Sequence, residues 1–228
     1  MTHSIDSFIT DSANSATALY TGHKASVNAL NVYADSSRSP FDDPKFETIV
    51  EIFFRLYQGH TGIVSTAFIA DATPAGLLAH TRDRDQYGAV VESFLNGVSN
   101  YTWTNWTGPD VLFGGGAEQF YNSSLGGVTY LNKDYYREFA NRGYQIVQNN
   151  TSLQKASNTT KTLGIFSVSN MAKWLDRNVS GHARAPSQFV PCISVLTTSR
   201  STSRISPTRR TAPTALRAML PISPASRR

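Results

Sequence analysis

The order of hydrophobic and polar residues in the first part of the chain predicts helices that alternate with strands. An apolar stripe at helical spacing predicts an amphipathic helix over residues 47–56, and a β-branched run predicts a buried strand over residues 62–69. Two more helices are predicted, over residues 74–80 and 87–95. This alternation favours a mostly parallel sheet covered by helices, so the predicted fold class is α/β. The stripe of the first helix consists of Ile49, Ile52, Phe53 and Leu56.

The alternation continues through residue 182. One of the predicted strands there ends in three glycines, Gly114–Gly116. These glycines lack the Lys-Ser/Thr of a phosphate-binding P-loop and the spacing of a dinucleotide motif, so a tight turn is the preferred interpretation. The elements predicted in this part are strands over 109–113, 144–147 and 162–168 and a helix over 133–141.

A short stretch near the N-terminus places a serine at the start of a helix. The apolar pair before it, Phe8 and Ile9, is predicted to end a buried strand. Asp11 and Ser12 are favourable N-cap residues, and the alanine-rich helix that follows is predicted to end at Gly22. The unpaired N–H groups and the dipole of a helix N-terminus favour an attacking alkoxide and a phosphate attached to it. On this local pattern alone, the serine either caps the helix or accepts a phosphoryl group.

A second set of polar residues follows the strand predicted over 62–69. Asp71 and Thr73 lie two positions apart where the strand ends, and ligands bind at this end of parallel strands. A carboxylate and a hydroxyl that converge there suit Mg²⁺. The alternative is that Asp71 caps the next helix, with Pro74 in its first turn, and spacing alone favours that alternative.

Composition changes abruptly after residue 182. The net charge of +5 arises from +8 in residues 183–228 and −3 in the preceding part, so it is weak support for a nucleic-acid partner. Ser, Thr, Pro, Ala and Arg account for 34 of the last 46 residues. We expect this tail to be disordered, and a change of reading frame near residue 182 would also produce its composition. An arginine-rich arm that binds RNA is the third interpretation.

Seven Asn-x-Ser/Thr tripeptides favour a glycoprotein of the secretory pathway. The alternative is a cytosolic or bacterial chain with many polar loops. No apolar run reaches transmembrane length, and the first ten residues lack a signal-peptide pattern. Cys192 is the single cysteine, so an intrachain disulfide is excluded. The tripeptides begin at Asn100, Asn105, Asn122, Asn149, Asn150, Asn158 and Asn178.

Four segments resemble the alkaline phosphatases, in the order that this family has them. Thr-Asp-Ser-Ala-x-Ser-Ala-Thr-Ala at 10–18 is similar to the nucleophile signature. Ile-Val-Ser-Thr-Ala-x-Ile-x-Asp-Ala-Thr-Pro-Ala at 63–75 resembles the second block, and Asp-Val-Leu-Phe-Gly-Gly-Gly-Ala-Glu-Gln-Phe at 110–120 resembles the third. The segment 164–179 is similar to a later part of fungal-type members. The resemblance covers roughly residues 5–182 and implies a three-layer α/β/α domain that is incomplete.

The resemblance also implies an activity and a set of site residues. Ser12 would be the nucleophile that takes the phosphoryl group of a phosphomonoester, and its oxygen would contact a zinc ion. Asp71 and Thr73 would bind Mg²⁺, and Arg84 would hold the phosphate oxygens with its planar fork. Zn²⁺ and Mg²⁺ are thus the expected cofactors. A homodimer is an assembly that the family allows, and no nucleic-acid partner is expected.

Several parts of the family pattern have no match in this sequence. The glycine-rich metal motif upstream of the nucleophile is not found in the first eleven residues, and residues 183–228 contain no Asp, Glu or His. The chain is therefore expected to be an alkaline phosphatase domain cut at both ends, over residues 1–182, that lacks several zinc ligands. The alternatives are a non-catalytic glycoprotein that keeps the scaffold and a nucleic-acid-binding protein that uses the arginine-rich tail.

Overall fold

A central sheet of five strands organises the protein in the computed structural model, which describes residues 3–39, 42–101, 104–173 and 194–198. The strand order is β5-β6-β4-β1-β7, in which the first four are parallel and β7 is antiparallel. The mostly parallel α/β fold predicted from the sequence is confirmed. These strands are β1 (His60–Phe68), β4 (Val111–Gly115), β5 (Gln145–Val147), β6 (Thr162–Ile165) and β7 (Ser194–Thr198), and a separate antiparallel pair comprises β2 (Val98–Tyr101) and β3 (Thr104–Trp106).

Helices connect and cover these strands. Short 3₁₀ turns supplement them, and the one over Pro74–Leu77 lies where a longer helix was predicted over 74–80. No helix among the described residues is long and apolar enough to cross a membrane. The α-helices are α1 (Ser12–Thr21), α2 (Ile49–Tyr57), α3 (Tyr87–Asn96), α4 (Tyr135–Asn141) and α5 (Asn150–Gln154), and the other 3₁₀ turns are Ala117–Gln119, Ser123–Leu125 and Tyr130–Asn132.

The core forms where the helices pack against β1 and its parallel neighbours. Ile63 of β1 is in register with Leu112 of β4, which is in register with Leu163 of β6, and all three are fully buried. Large aromatic side chains extend this core along α3 and α4. Burial of so much apolar area is the main favourable contribution to folding. These aromatic residues are Phe94, Trp106, Phe120, Tyr135 and Phe139.

Two expectations about local burial are wrong. Phe8 and Ile9 do not end a buried strand, because they lie in irregular backbone with 98% and 82% of their surface exposed. In α2, the predicted apolar stripe is not the buried face: Ile49 and Leu56 are half exposed, whereas Val50 and Glu51 are buried. Helical periodicity identified the helix but not the face that the rest of the protein covers, which depends on contacts distant in sequence.

The tail contains one strand that the sequence analysis did not predict. Ser194–Thr198 pairs with β1 over five residues, from His60↔Thr198 to Val64↔Ser194, and extends the sheet. The prediction that residues 183–228 pack little is therefore wrong for these five residues. A Val-Leu-Thr-Thr run has high β-propensity, and it pairs with the edge of β1 that β4 leaves open. The other residues of 183–228, including Cys192, lie outside the described part of the chain, as do His182 and Asn178.

Candidate active site at the N-terminus of helix α1

The first turn of α1 carries Ser12 and is capped by Asp11. The Asp11 carboxylate accepts hydrogen bonds from the N–H groups of Ala13 and Asn14, both at 3.1 Å. The helix ends at Gly22, whose left-handed backbone (φ +76) is the conformation in which glycine commonly terminates helices. The predicted start and end of this helix are confirmed. Asp11 caps the helix, and the hydroxyl of Ser12 bonds to another group, the guanidinium of Arg84.

Asp71 lies in the turn that follows β1. Its backbone N–H donates to the carbonyl of Phe68 at 3.0 Å, and its own carbonyl accepts from Ala75 at 2.9 Å, so the turn is fixed on both sides. The carboxylate of Asp71 accepts from the backbone N–H of Ala72 at 2.8 Å and is about one-third exposed. Thr73 follows at the start of the Pro74–Leu77 turn, and its side chain makes no capping hydrogen bond. The Asp71 carboxylate bonds to the N–H of the next residue and not to the first turn of Pro74–Leu77, so Asp71 does not cap that turn.

Arg84 joins the two segments. Its Nη1 donates to Ser12 Oγ at 2.6 Å and to Asp11 Oδ2 at 3.1 Å, and its Nη2 donates to Asp71 Oδ1 at 2.5 Å. Its backbone N–H donates to the carbonyl of Asn28 at 3.1 Å, which fixes the base of the side chain. One guanidinium thus holds the Ser12 hydroxyl and the Asp71 carboxylate together, at the edge of the sheet that the sequence analysis predicted.

Asp11 is the site residue that the sequence analysis did not identify as one. It was expected only to cap α1, but it also forms an ion pair with Arg84. Its position directly before Ser12 was a usable signal, because the last residue before a helix can face the same ligand as the first turn.

The charges at this site shift the pKa values of two groups. Burial alone would raise the pKa of the Asp11 carboxyl, but the N–H groups of Asn14 and Ala13 and the guanidinium of Arg84 outweigh burial and lower it. Burial alone would lower the pKa of Arg84, but its hydrogen bonds to Asp71 and Asp11 outweigh that effect and raise it. Arg84 therefore stays cationic. Two carboxylates face one guanidinium, so the site has an excess of negative charge that favours a cation.

The donor atoms at the site suit a hard cation. Asp71 supplies a carboxylate at the site, and Thr73, two positions further on, carries a hydroxyl; both are ligands of the kind that Mg²⁺ prefers. Zinc sites in proteins normally use His or Cys ligands. Among the described residues, three or more His, Cys, Asp or Glu side chains converge only at Asp35, Asp42 and Asp43, where Arg82 pairs with two of them. The described residues thus fit Mg²⁺ and do not supply a zinc site.

The triple glycine packs against protein backbone. The N–H of Gly116 donates to the carbonyls of Ser167 and Ser169, both at 3.0 Å. A Cβ at Gly115 would lie 2.1 Å from the carbonyl oxygen of Ser169, so only glycine permits this close approach. The tight turn expected at these glycines is wrong for Gly114 and Gly115, which are the last residues of β4, and only Gly116, with its left-handed backbone (φ +100), leads into the turn that follows. The N–H of Gly116 is paired with protein carbonyls.

Comparison with known proteins identifies the family. A model of the alkaline phosphatase family matches residues 1–198, sixteen residues beyond the segment that the sequence motifs covered. The chain is 34% identical over 198 residues to alkaline phosphatase H of Pseudomonas aeruginosa and 31% identical over 208 residues to alkaline phosphatase of Escherichia coli. In both cases 81% of this chain aligns with 40% of the relative. It thus spans about two-fifths of the length of these relatives.

A further relative and a solved structure agree with this result. Streptomycin-6-phosphate phosphatase of Streptomyces griseus is 33% identical over 168 residues, which is 70% of this chain and 35% of that protein. The crystal structure of Thermus thermophilus alkaline phosphatase superposes with a TM-score of 0.64 at 25% identity, over 79% of this chain and 33% of that one. The fungal-type subgroup stays a prediction. The chain belongs to the alkaline phosphatase family.

Proposed function

We propose that this chain carries the phosphoryl-accepting part of a phosphomonoesterase site, with Ser12 as the nucleophile and Arg84 as the group that binds the phosphate oxygens. The contact of one guanidinium with both Ser12 Oγ and Asp71 Oδ1 is the observation that carries the proposal. A phosphate bound to the fork of Arg84 would lie beside the Ser12 hydroxyl. Phosphoryl transfer depends mainly on such positioning and on neutralisation of charge.

The reaction has two displacements on phosphorus. Ser12 Oγ attacks the phosphorus atom and loses its proton to solvent, while the bond from phosphorus to the alcohol oxygen breaks and the alcohol leaves with a proton from water. Water then attacks the phosphoserine, the P–Oγ bond breaks, and inorganic phosphate leaves as the Ser12 hydroxyl is restored. The positive end of α1 and the cation of Arg84 stabilise the negative charge that both steps place on the phosphoryl oxygens.

Mg²⁺ is the cofactor that this chain's own residues support. Asp71 and Thr73 would hold it, and a bound magnesium ion would neutralise charge on the phosphoryl group. Asp71 pairs with Arg84, so binding of a metal ion to Asp71 would compete for this carboxylate and release one arm of the guanidinium for phosphate. The described residues do not supply the ligand set of the zinc ions that the family resemblance implies.

The substrate class proposed here is a phosphomonoester, in keeping with a family whose relatives include a streptomycin-6-phosphate phosphatase. A homodimer and a place in the secretory pathway are further parts of the proposal. Asn158 and Asn149 are exposed, as glycosylation sites must be. Expression behind a signal peptide in a eukaryotic host, followed by digestion with an N-glycosidase, tests this: loss of mass is expected, and an unchanged mass in the secreted protein would contradict it.

A scaffold without catalysis is the second candidate, and a specific observation favours it. The guanidinium of Arg84 is occupied by two carboxylates of its own chain. If these ion pairs do not open for phosphate, the site is structural. The two candidates therefore differ in whether phosphate displaces a carboxylate from Arg84.

Phosphate binding separates the two candidates. Calorimetric titration of the 228-residue chain with inorganic phosphate, in the presence of magnesium chloride, should show binding that Arg84→Ala abolishes. Arg55→Ala is the matched control, since Arg55 pairs with one carboxylate, that of Glu47, on the surface of α2. Equal affinity in the wild type and in Arg84→Ala would refute the proposed site. Absence of any binding to the folded wild type would support the scaffold.

A further inference from the structure

A buried set of polar side chains lies next to the candidate site. It consists of Thr17, Asn31, Glu51 and His80, here called the Asn31 network, and each of the four is at least nine-tenths buried. None of them belongs to the proposed phosphate or magnesium ligands. Buried polar groups of this kind are costly unless they are hydrogen-bonded, so their retention calls for a structural or functional reason.

Asn31 is the centre of the network. Its side-chain amide donates to the carbonyls of Gly76 and Ala79, at 2.7 and 2.8 Å. Its backbone N–H donates to the hydroxyl oxygen of Thr17, at 2.9 Å. Asn31 thus links α1, which carries Ser12, to the turn that follows Asp71 and Thr73. Its backbone is left-handed (φ +52), a conformation that asparagine tolerates better than most residues.

His80 connects Asn31 to α2. Its Nδ1 lies 3.1 Å from the carbonyl oxygen of Asn31, and its Nε2 lies 2.8 Å from Glu51 Oε1. The carbonyl oxygen can only accept, so Nδ1 carries a hydrogen. A carboxylate also only accepts, so a proton must lie between Nε2 and Oε1 for the second bond to form. The other carboxylate oxygen of Glu51 accepts from the N–H of Thr48 at 2.8 Å, which fixes it at the start of α2.

The same short segment also positions Arg84. Leu30 and Thr81 form a two-way backbone bridge, with N···O distances of 2.7 and 3.0 Å, and the N–H of Arg84 donates to the carbonyl of Asn28. Residues 28–31 therefore touch all three segments that carry site residues: α1 with Ser12, the turn after Asp71, and the stretch that leads to Arg84. His80 lies between the second and third of these segments.

We propose that His80 is a positioning residue of the candidate site: held by Glu51, it keeps Asn31 clamped on α1 and on the turn after Asp71, at the spacing that lets one Arg84 guanidinium reach Ser12 and Asp71 together. The role in phosphate binding rests on the proposed function, whereas the effect on Arg84 does not. His80 bonds to Asn31 and Glu51, and it acts on Arg84 through Asn31.

The test measures Arg84 directly. In nitrogen-15 NMR spectra of the ligand-free chain, the Arg84 Nη–H signal should be resolved and protected from exchange with solvent, because Nη1 donates to Ser12 and Asp11 and Nη2 donates to Asp71. His80→Phe should broaden or lose this signal and should raise the Kd for inorganic phosphate about tenfold, because small displacements of positioning groups have effects of this size. A folded His80→Phe protein with an unchanged Arg84 signal would overturn the proposal.

A conservative variant distinguishes positioning from general destabilisation. In Glu51→Gln, the amide can donate to Nε2 of a neutral His80 and still accept from Thr48, so the hydrogen bonds survive without the extra proton. This variant should keep the Arg84 signal and the phosphate Kd within about twofold of the wild type, since no group is left unpaired. His60→Gln is the control for loss of a histidine, because His60 is exposed and pairs with Asp110 at the start of β1. Loss of the Arg84 signal in Glu51→Gln would contradict the proposal.

Thr17→Val gives a second route if His80→Phe does not fold. It keeps the shape of the side chain and removes only the hydroxyl that accepts from Asn31, so it should weaken protection of the Arg84 Nη–H groups. Unchanged protection would refute the clamp. If the wild type binds no phosphate but its Arg84 signal responds to these variants as expected, the proposed function fails and the positioning role stands. If phosphate binds and no variant changes the Arg84 signal, the proposed function stands and the positioning role fails.

Discussion

Ala16 of α1 and Gly76 of the Pro74–Leu77 turn are in direct contact, with no room for a second side chain between them. A Cβ at Gly76 would lie 2.6 Å from the Cβ of Ala16, and both residues are buried. The contact sets how closely the helix that carries Ser12 approaches the turn that follows Asp71. The separation of Ser12 and Asp71 therefore depends on Gly76, which is not itself a site residue.

Gly76→Ala should push α1 away from this turn. We expect a loss of about 1–3 kcal/mol in the free energy of unfolding, as for other overpacked cores, together with weaker phosphate binding. Urea unfolding followed by circular dichroism measures the first effect. The double variant Ala16→Gly/Gly76→Ala removes the clash, so it should be more stable than the sum of the two single changes predicts. Strict additivity would show that the two residues do not interact.

The contribution of Asp11 to stability should depend on pH in one direction. Its folded-state pKa is lowered by α1 and Arg84, so its ionised form stabilises the fold above the ordinary aspartate pKa of about 3.9. This stabilisation is lost as the pH falls through the lowered value. Asp11→Asn keeps a capping side chain but removes the charge, so its melting temperature should lie below that of the wild type at neutral pH. The gap should close in acid, and a gap independent of pH would contradict this account.

The sequence predicted which residues lie at the candidate site better than it predicted which helix face is buried and which strand edge is paired. Asp71 could be placed at the sheet edge in advance because it follows a parallel strand, whereas Ser12 and Arg84 were joined to it only by the motifs that resemble one family. The ion pair of Asp11 with Arg84 and the network around Asn31 could not be predicted, because they join residues 14 to 73 positions apart in ways that no periodicity encodes. Side-chain pairing of this kind is decided by the packed fold.

The exposed face of α2 and the strand β7 show the same limit. The stripe of Ile49 and Leu56 has ideal helical spacing, yet the protein covers the face of Val50 and Glu51, because the buried Glu51 has a partner in His80. Composition was an equally poor guide to Ser194–Thr198, whose five residues find a long-range partner in β1. Local patterns predict which segments become helices or strands, and tertiary contacts decide which faces and edges are used.

Limited proteolysis should locate the end of the packed part of the chain. Because Ser194–Thr198 pairs with β1, we expect trypsin to remove the segment after Arg200 first and to leave a product that retains β7. Leu196→Pro should disrupt the strand by removing an N–H at the position opposite Gly62, and cleavage should then move toward Arg184. Mass spectrometry of the products provides the measurement. Cleavage at Arg184 in the wild type at the same rate as at Arg200 would show that β7 is not stably paired.

The chain as written should hydrolyse p-nitrophenyl phosphate poorly or not at all, although it belongs to a family of hydrolases. The hydroxyl of Ser12 is a weak nucleophile at its ordinary pKa and needs activation, and Arg84 is held by Asp11 and Asp71. The described residues supply oxygen ligands for Mg²⁺ but no zinc site, and Asp71 with Thr73 alone would hold Mg²⁺ weakly.

Release of p-nitrophenolate measures this directly, with zinc and magnesium salts added singly and together. Ser12→Ala tests the nucleophile, and Ser15→Ala, one turn along the same helix, is the matched control. Rates that stay at the level of Ser12→Ala in every metal mixture are the expected result. Zinc-dependent turnover that Ser12→Ala abolishes and Ser15→Ala preserves would overturn the prediction. The missing ligands would then come from residues outside the described part, such as His182, or from a second copy of the chain.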